Sequence, residues 1–235
     1  MLESTAQSEV FTMFNGFSKE TSEFMWELAF NNERPWFNAH KQEFETYLNR
    51  PFRALASGTY AALSERFPDL DFRVHVSRIY RDARRLFGRG LYKEALWFTI
   101  SLDQFSSDPD NEGPAFWFEI KASSYAYGMG YYGYPAQMEC YRSTIDANPA
   151  AFERLAEQMS SLPGLSLEGE DYKRPKAQKM GYTAGWYNKK YFSLASHGDF
   201  GGDLLSPDLP VILADAYGSM MPMFLFLSKI SEREK

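Results

Sequence analysis

The chain has 235 residues, a net charge of −6, and 44% hydrophobic against 24% charged residues, enough for one large domain or two small ones with an ample core. Its single cysteine, Cys140, excludes an intramolecular disulfide, and no basic-then-apolar leader opens the sequence, so a cytoplasmic protein is expected. The acidic balance argues against sequence-independent nucleic-acid binding, which needs a broad cationic surface.

Residues 1–15 carry little pattern and are expected to fray, leaving residues 16–235 as a single domain. Ser18 is a candidate N-cap for a helix with Phe24, Met25 and Leu28 at helical spacing, ended by Asn31 and Asn32. Pro35 opens a second helix with Phe37, Lys41, Phe44 and Leu48 on one face, and Pro51 a third with Phe52, Leu55, Ala62 and Leu63 inward. At Asp71 the period changes from 3.6 to 2: Phe72, Val74 and Val76 alternate with Arg73, His75 and Ser77 in a strand. Leu96 to Leu102 and Phe116 to Ile120 alternate likewise, joined through a polar loop that holds Asp108, Asp110 and Glu112.

Ser123 to Tyr134 predicts a Gly/Tyr-rich fourth strand, followed by helices from Pro135 and Pro149. Short strands over 165–172 and 191–197 come next, with a polar turn at His197, Gly198, Asp199 and Asp203. Val211 to Leu227 is apolar but interrupted by Asp215, Gly218, Ser219 and Pro222, which predicts a pair of core helices and no membrane span. Helices, then a block of strands, then helices point to an α+β fold: a largely antiparallel sheet with helices from both chain ends packed on it.

The segment from Arg73 to Lys93 carries seven basic side chains and one acid in this acidic chain. Guanidinium groups are planar forks that suit carboxylate and phosphate oxygens, so such a cluster demands acidic partners or an anionic ligand. Strand parity puts Arg78 on the face of Phe72, Val74 and Val76, where a buried guanidinium cannot remain unpaired. Two arrangements answer this. One is a structural ion-pair network, such as Asp82 with Arg84 or Glu33 with Arg78; the other is an anion pocket.

Several segments together resemble a family of bacterial and fungal proteins known as domain of unknown function number 2461. They are Gly16-Phe17, N-N-E-R-P-W-F over 31–37 with Lys41, R-I-Y-R-D-A-R over 78–84, Tyr92-Lys93, and the Y-A-Y-G-M-G-Y-Y run. The resemblance covers most of residues 14–230 and implies no activity. Between Arg84 and Tyr92 this chain reads R-L-F-G-R-G-L where the family usually carries F-S-K-D-K-T-P, so roles of that loop do not transfer. The positions that match are Arg78, Arg81, Asp82, Arg84, Tyr92 and Lys93.

The expected ligand-binding set is Arg78, Arg81, Arg84, Arg89 and Lys93, with Tyr127 and Trp36 as aromatic candidates for the same cleft. Asp82, His75 and Tyr92 are the candidates to handle a proton there. Binding of a small phosphate- or carboxylate-bearing ligand is the first reading. A hydrolase or transferase using that cleft is the second, and a non-catalytic interaction protein the third. Gly128 to Gly133 matches G-x-G-x-x-G with Glu153 twenty residues on, but no glycine opens a helix and Glu153 falls inside a second helical pattern. No cofactor is expected. His40, His75 and His197 lack paired spacing, so no metal site is expected either.

Overall fold

Ser18 ends an extended approach and caps the first helix, α1 (Lys19–Phe30), which turns Thr21, Phe24, Met25 and Leu28 into the core. The computed structural model describes residues 13–82, 84, 86, 90–105 and 113–233. Residues 1–12, in the segment expected to fray, lie outside the described residues, as do Arg89 and the loop acids Asp108, Asp110 and Glu112. Phe14 is buried and packs edge-on against Phe17, so the packed body begins before residue 16. Between α1 and that phenylalanine, Gly16 adopts φ +94°, where a Cβ would collide with the Leu205 carbonyl.

The second expected helix breaks at His40 (φ −106°, ψ 17°), giving α2 (Arg34–Ala39) and a single turn, α3 (Lys41–Glu43). The chain then runs through a wide π-helical turn, Phe44–Asn49, directly into α4 (Arg50–Arg66). Pro51 stands in the first turn of α4 as its position predicts, although the π-helical turn leads into that helix without a break.

Among the described residues six strands follow: β1 (Phe72–Val76), β2 (Ala95–Leu102), β3 (Ala115–Lys121), β4 (Ser124–Tyr131), β5 (Ser166–Asp171) and β6 (Lys189–Asp199). They form one antiparallel sheet in the order β1-β2-β3-β4-β6-β5. Between β4 and β5 lie α5 (Pro135–Ala147) and α6 (Pro149–Ser160), and between β5 and β6 the short α7 (Thr183–Tyr187), which the sequence pattern does not announce. His197, Gly198 and Asp199 belong to the end of β6 and not to a turn.

The C-terminal apolar segment is one helix, α8 (Leu209–Arg233), with Pro222 inside it, and not a pair. Its Leu209–Glu232 stretch has the length and hydropathy of a membrane span, against the expectation that it is too short and too polar. Here its apolar side is covered by protein. Leu213, Tyr217, Met220, Phe224 and Leu227 are buried, and the Phe224 ring stacks on Phe116 of β3 at 4.5 Å. Phe52 of α4 completes that layer, 5.8 Å from Phe98 and 6.1 Å from Phe118. The architecture is α+β, with helices from both chain ends on one face of the sheet.

Among the described residues, that leaves the other face bare. Along β2 and β3 burial alternates strictly, with Leu96, Phe98, Ile100, Phe116, Phe118 and Ile120 buried under the helices. Trp97, Thr99, Ser101, Trp117 and Glu119 take the opposite parity and stay partly open to solvent.

Candidate functional site

Beyond Val76 the β1 ladder ends and the alternation slips by one residue. Ser77 turns inward: its N–H donates to the Trp97 carbonyl at 2.8 Å, and its hydroxyl accepts the Trp97 N–H at 3.0 Å. Ser77 and Ile79 are buried in consequence, and Arg78 is exposed. This corrects the parity argument that put Arg78 in the core. The side-chain hydroxyl of Ser77 takes the place of a backbone acceptor and lets the strand change face.

The chain then forms a narrow arm. Arg81 N–H donates to the Leu91 carbonyl at 2.9 Å and Lys93 N–H to the Ile79 carbonyl at 2.8 Å, around an antiparallel bridge between Tyr80 and Tyr92. Asn32, at the end of α1, fixes this arm from outside. Its carboxamide accepts the Tyr92 N–H at 2.8 Å and donates to the Tyr92 carbonyl at 3.0 Å, as a neighbouring strand would.

The arm and the bare sheet face enclose a cleft of about 950 Å³. Of the residues expected from sequence, Arg78, Arg81, Arg84, Lys93, Asp82 and His75 line it. Tyr92 does not. It is 1% exposed and stacks on Phe37 at 4.1 Å, so burial pushes its hydroxyl pKa upward and removes it from any role in the cleft. Trp36 lies elsewhere, stacked on His40 at 4.1 Å, and Tyr127 faces the helices, edge-on to Tyr217 at 6.5 Å.

Within the cleft the cations are not equivalent. Arg81 is 17% exposed; its Nε donates to the Tyr92 carbonyl at 2.8 Å and its Nη2 to Glu94 at 3.2 Å, so it braces the arm. Arg84 holds Asp82 in a two-point contact of 2.9 and 3.1 Å, the ion pair expected of the structural reading, and it forms at the surface. The other pair considered, Glu33 with Arg78, does not form. Among the described residues Arg78 and Lys93 make no ion pair. Lys93 Nζ stands 5.5 Å over the Trp97 ring. Its pKa is held below the usual lysine value, first by burial and then by the charges of Arg81 and Arg78.

Chemically, the cleft can receive an anion. Among the described residues, no hydroxyl lining it is hydrogen-bonded to a side-chain base. His75, 5.5 Å from the Trp97 ring, Asp82, Glu94 and Glu119 are the titratable groups that line the cleft with the cations.

Trp97, Glu94 and Glu119 also line the cleft, and sequence reasoning did not single them out. A signal was present: L-W-F-T-I and F-W-F-E-I put large aromatic residues on both parities of a strand, which is unusual for a face meant only for water. Outside the cleft the fold also gathers ligand atoms of Glu27, His40 and Glu43 within 4.8 Å of one another, a grouping that histidine spacing does not reveal. The G-x-G-x-x-G run lies along β4 and past its end, and Glu153 accepts from the Tyr182 and Thr183 N–H groups at 2.7 and 2.9 Å to anchor α7.

Residues 20–226 match the model of a protein family described as a conserved hypothetical protein (DUF2461). No curated protein matches the chain.

Proposed function

The chain belongs to this family of conserved hypothetical proteins, and from that premise we propose that it binds a small anionic ligand in the cleft between the Tyr80–Tyr92 arm and the bare sheet face. One observation carries this reading: Arg78 and Lys93 converge there with no carboxylate partner among the described residues, and the folded protein bears the cost of holding Lys93 charged, through burial first and then through the two neighbouring guanidinium groups. A purely structural cluster would be neutralised internally, as Arg81 is by Glu94 and Arg84 by Asp82. An anion in the cleft relieves the repulsion and gains charge-assisted hydrogen bonds at once.

The remaining Arg81 donors and the His75 ring are in position to add to the same anion, which leaves Arg78 and Lys93 as its principal holders. The test is a thermal-shift series with inorganic phosphate, pyrophosphate and citrate. A ligand at a hundred times its dissociation constant stabilises the native state by about 2.7 kcal/mol. Arg78→Met and Lys93→Met are expected to stay folded and lose the response. A panel that leaves the wild-type melt unmoved overturns the reading.

A further inference from the structure

The cleft continues past the cationic arm. It shares His75, Trp97 and Glu119 with a second hollow of about 760 Å³, whose floor adds Thr99, Trp117 and Gly130. The two are one trough across the bare face of the sheet, and a phosphate group on its own covers only the Arg78–Lys93 end.

Trp117 is held in a defined pose on this floor. Its indole Nε1 donates to Ser193 Oγ at 3.0 Å, and that hydroxyl donates in turn to the Met129 carbonyl at 3.1 Å. The ring lies beside Gly130 of β4, where a Cβ would stand 3.6 Å from the indole, in ordinary van der Waals contact. Trp97 pairs with Glu119 and Thr99 with Trp117, which makes the two tryptophans diagonal neighbours on one face, at a spacing of roughly 7–8 Å. Glu119 and Thr99 fill the other two corners with a carboxylate and a hydroxyl. Two indoles on one face, one of them held by a hydrogen bond, beside a cationic end are the elements of a stacking platform with an anion anchor.

Building on the anion reading above, we infer that the ligand is a phosphate carried on a planar ring, of nucleotide size. The phosphate sits among Arg78, Arg81 and Lys93, which line one end of the cleft and whose combined positive charge suits a dianion. The ring lies against Trp97, with Trp117 next along the floor. Charge distribution along the trough selects a single charged end. Beyond the cationic end the face carries carboxylates, Glu119 and Glu168 in the second hollow and Asp199 beside Lys121 and His197 in the adjoining one, so a polyanionic strand laid along the whole face meets them.

Isothermal titration calorimetry and tryptophan fluorescence with inorganic phosphate, ribose 5-phosphate, AMP and adenosine test this on the full chain. AMP is expected to bind at least about tenfold more tightly than inorganic phosphate or ribose 5-phosphate and to quench fluorescence, with adenosine weaker than AMP. Trp97→Leu, which keeps apolar bulk, is expected to stay folded and to remove AMP's advantage over inorganic phosphate. If AMP binds no more tightly than inorganic phosphate or ribose 5-phosphate, the ring inference is overturned and the anion reading stands. If no phosphate compound binds at all, the anion reading fails and this inference falls with it.

Discussion

Thr21 donates its buried hydroxyl to the Tyr47 carbonyl at 2.6 Å, and Tyr47 stands four residues before Pro51, whose nitrogen has no hydrogen to return along the helix. The π-helical turn and the proline would otherwise leave a carbonyl poorly served inside the core. The same Thr21 oxygen accepts the Ser18 N–H at 3.2 Å, joining the start of α1 to this junction. Thr21→Val keeps the shape and removes both bonds. It is expected to cost about 1–3 kcal/mol in urea denaturation, with Thr21→Ser restoring most of the loss.

Asn32 pairs with both backbone groups of Tyr92, and this contact holds the arm that bears the cationic cleft. Asn32→Asp retains the acceptor for the Tyr92 N–H and loses the donor to its carbonyl. Asn32→Ala loses both, at about 1–3 kcal/mol by the cost of unmade buried bonds. Because Asn32 is not in the cleft, its effect on anion affinity is indirect. Hydrogen exchange at the Tyr92 and Lys93 amides is expected to accelerate in the alanine variant, more than at amides of β3 in the centre of the sheet. Equal acceleration at both places would contradict a local role.

These two contacts mark where sequence reading stops. The alternation of Phe72, Val74 and Val76 and of Leu96 to Leu102 gives the strands nearly to the residue, since side-chain parity is local and periodic. The face change at Ser77 is not periodic: it depends on a hydroxyl meeting the Trp97 amide twenty residues away, and without it Arg78 reads as buried. Arg78, Arg81, Asp82, Arg84, Lys93 and His75 are recognisable as a group because their charge stands out in an acidic chain, and the fold does bring them together. Tyr127 and Trp36 fail as cleft residues because aromatic side chains carry no label for the face they take. Trp97 and Trp117 are the converse, visible only through their parity opposite Phe98 and Phe118.

Lys93 is the cation whose removal separates binding from stability. Its folded pKa lies below the usual 10.5, so the unfolded chain binds the proton more tightly and the charged lysine penalises the fold. That penalty is full at neutral pH and fades as pH rises from the folded pKa toward 10.5. Lys93→Met is accordingly expected to melt above wild type at neutral pH, with the difference shrinking in alkali. Its anion affinity is expected to fall by roughly 10- to 100-fold, the worth of a charge-assisted hydrogen bond. A variant that melts below wild type and still binds phosphate would assign Lys93 to the scaffold.

Tyr187 gives a second pH dependence, remote from the cleft. Burial first, and then its 2.7 Å hydrogen bond to Asp146, push its pKa up to about 12. An acid with a raised folded pKa contributes stability that is present below its unfolded value of 10.0 and lost as pH rises toward about 12. The loss should be on the order of 2 kcal/mol between those limits, and Tyr187→Phe should flatten that part of the profile. Asp146 shows the opposite sign. Hydrogen bonds from Lys179 and Tyr187 lower its pKa, so its contribution is present above the unfolded value of 3.8 and disappears as pH falls. Urea denaturation from acid to alkali, with Asp146→Asn as the control for the lower limb, checks both directions.

Gly130 offers the sharpest separation of fold from trough. A Cβ at this position meets Tyr132 at 3.4 Å and the Trp117 ring at 3.6 Å, which is ordinary van der Waals contact, and its backbone is not in the left-handed region. Gly130→Ala is therefore expected to be tolerated, or to stabilise by up to about 1 kcal/mol through reduced freedom of the unfolded chain. A larger residue there does something different. Gly130→Val puts branched carbons on the floor of the second hollow beside the indole, narrowing the space in which a ring would lie. Inorganic phosphate, held at the other end by Arg78 and Lys93, should bind this variant as it binds wild type, whereas AMP should lose its tenfold advantage. Equal weakening of both ligands would mean that the substitution distorts the sheet, and unchanged AMP binding would mean that the ring does not reach Trp117.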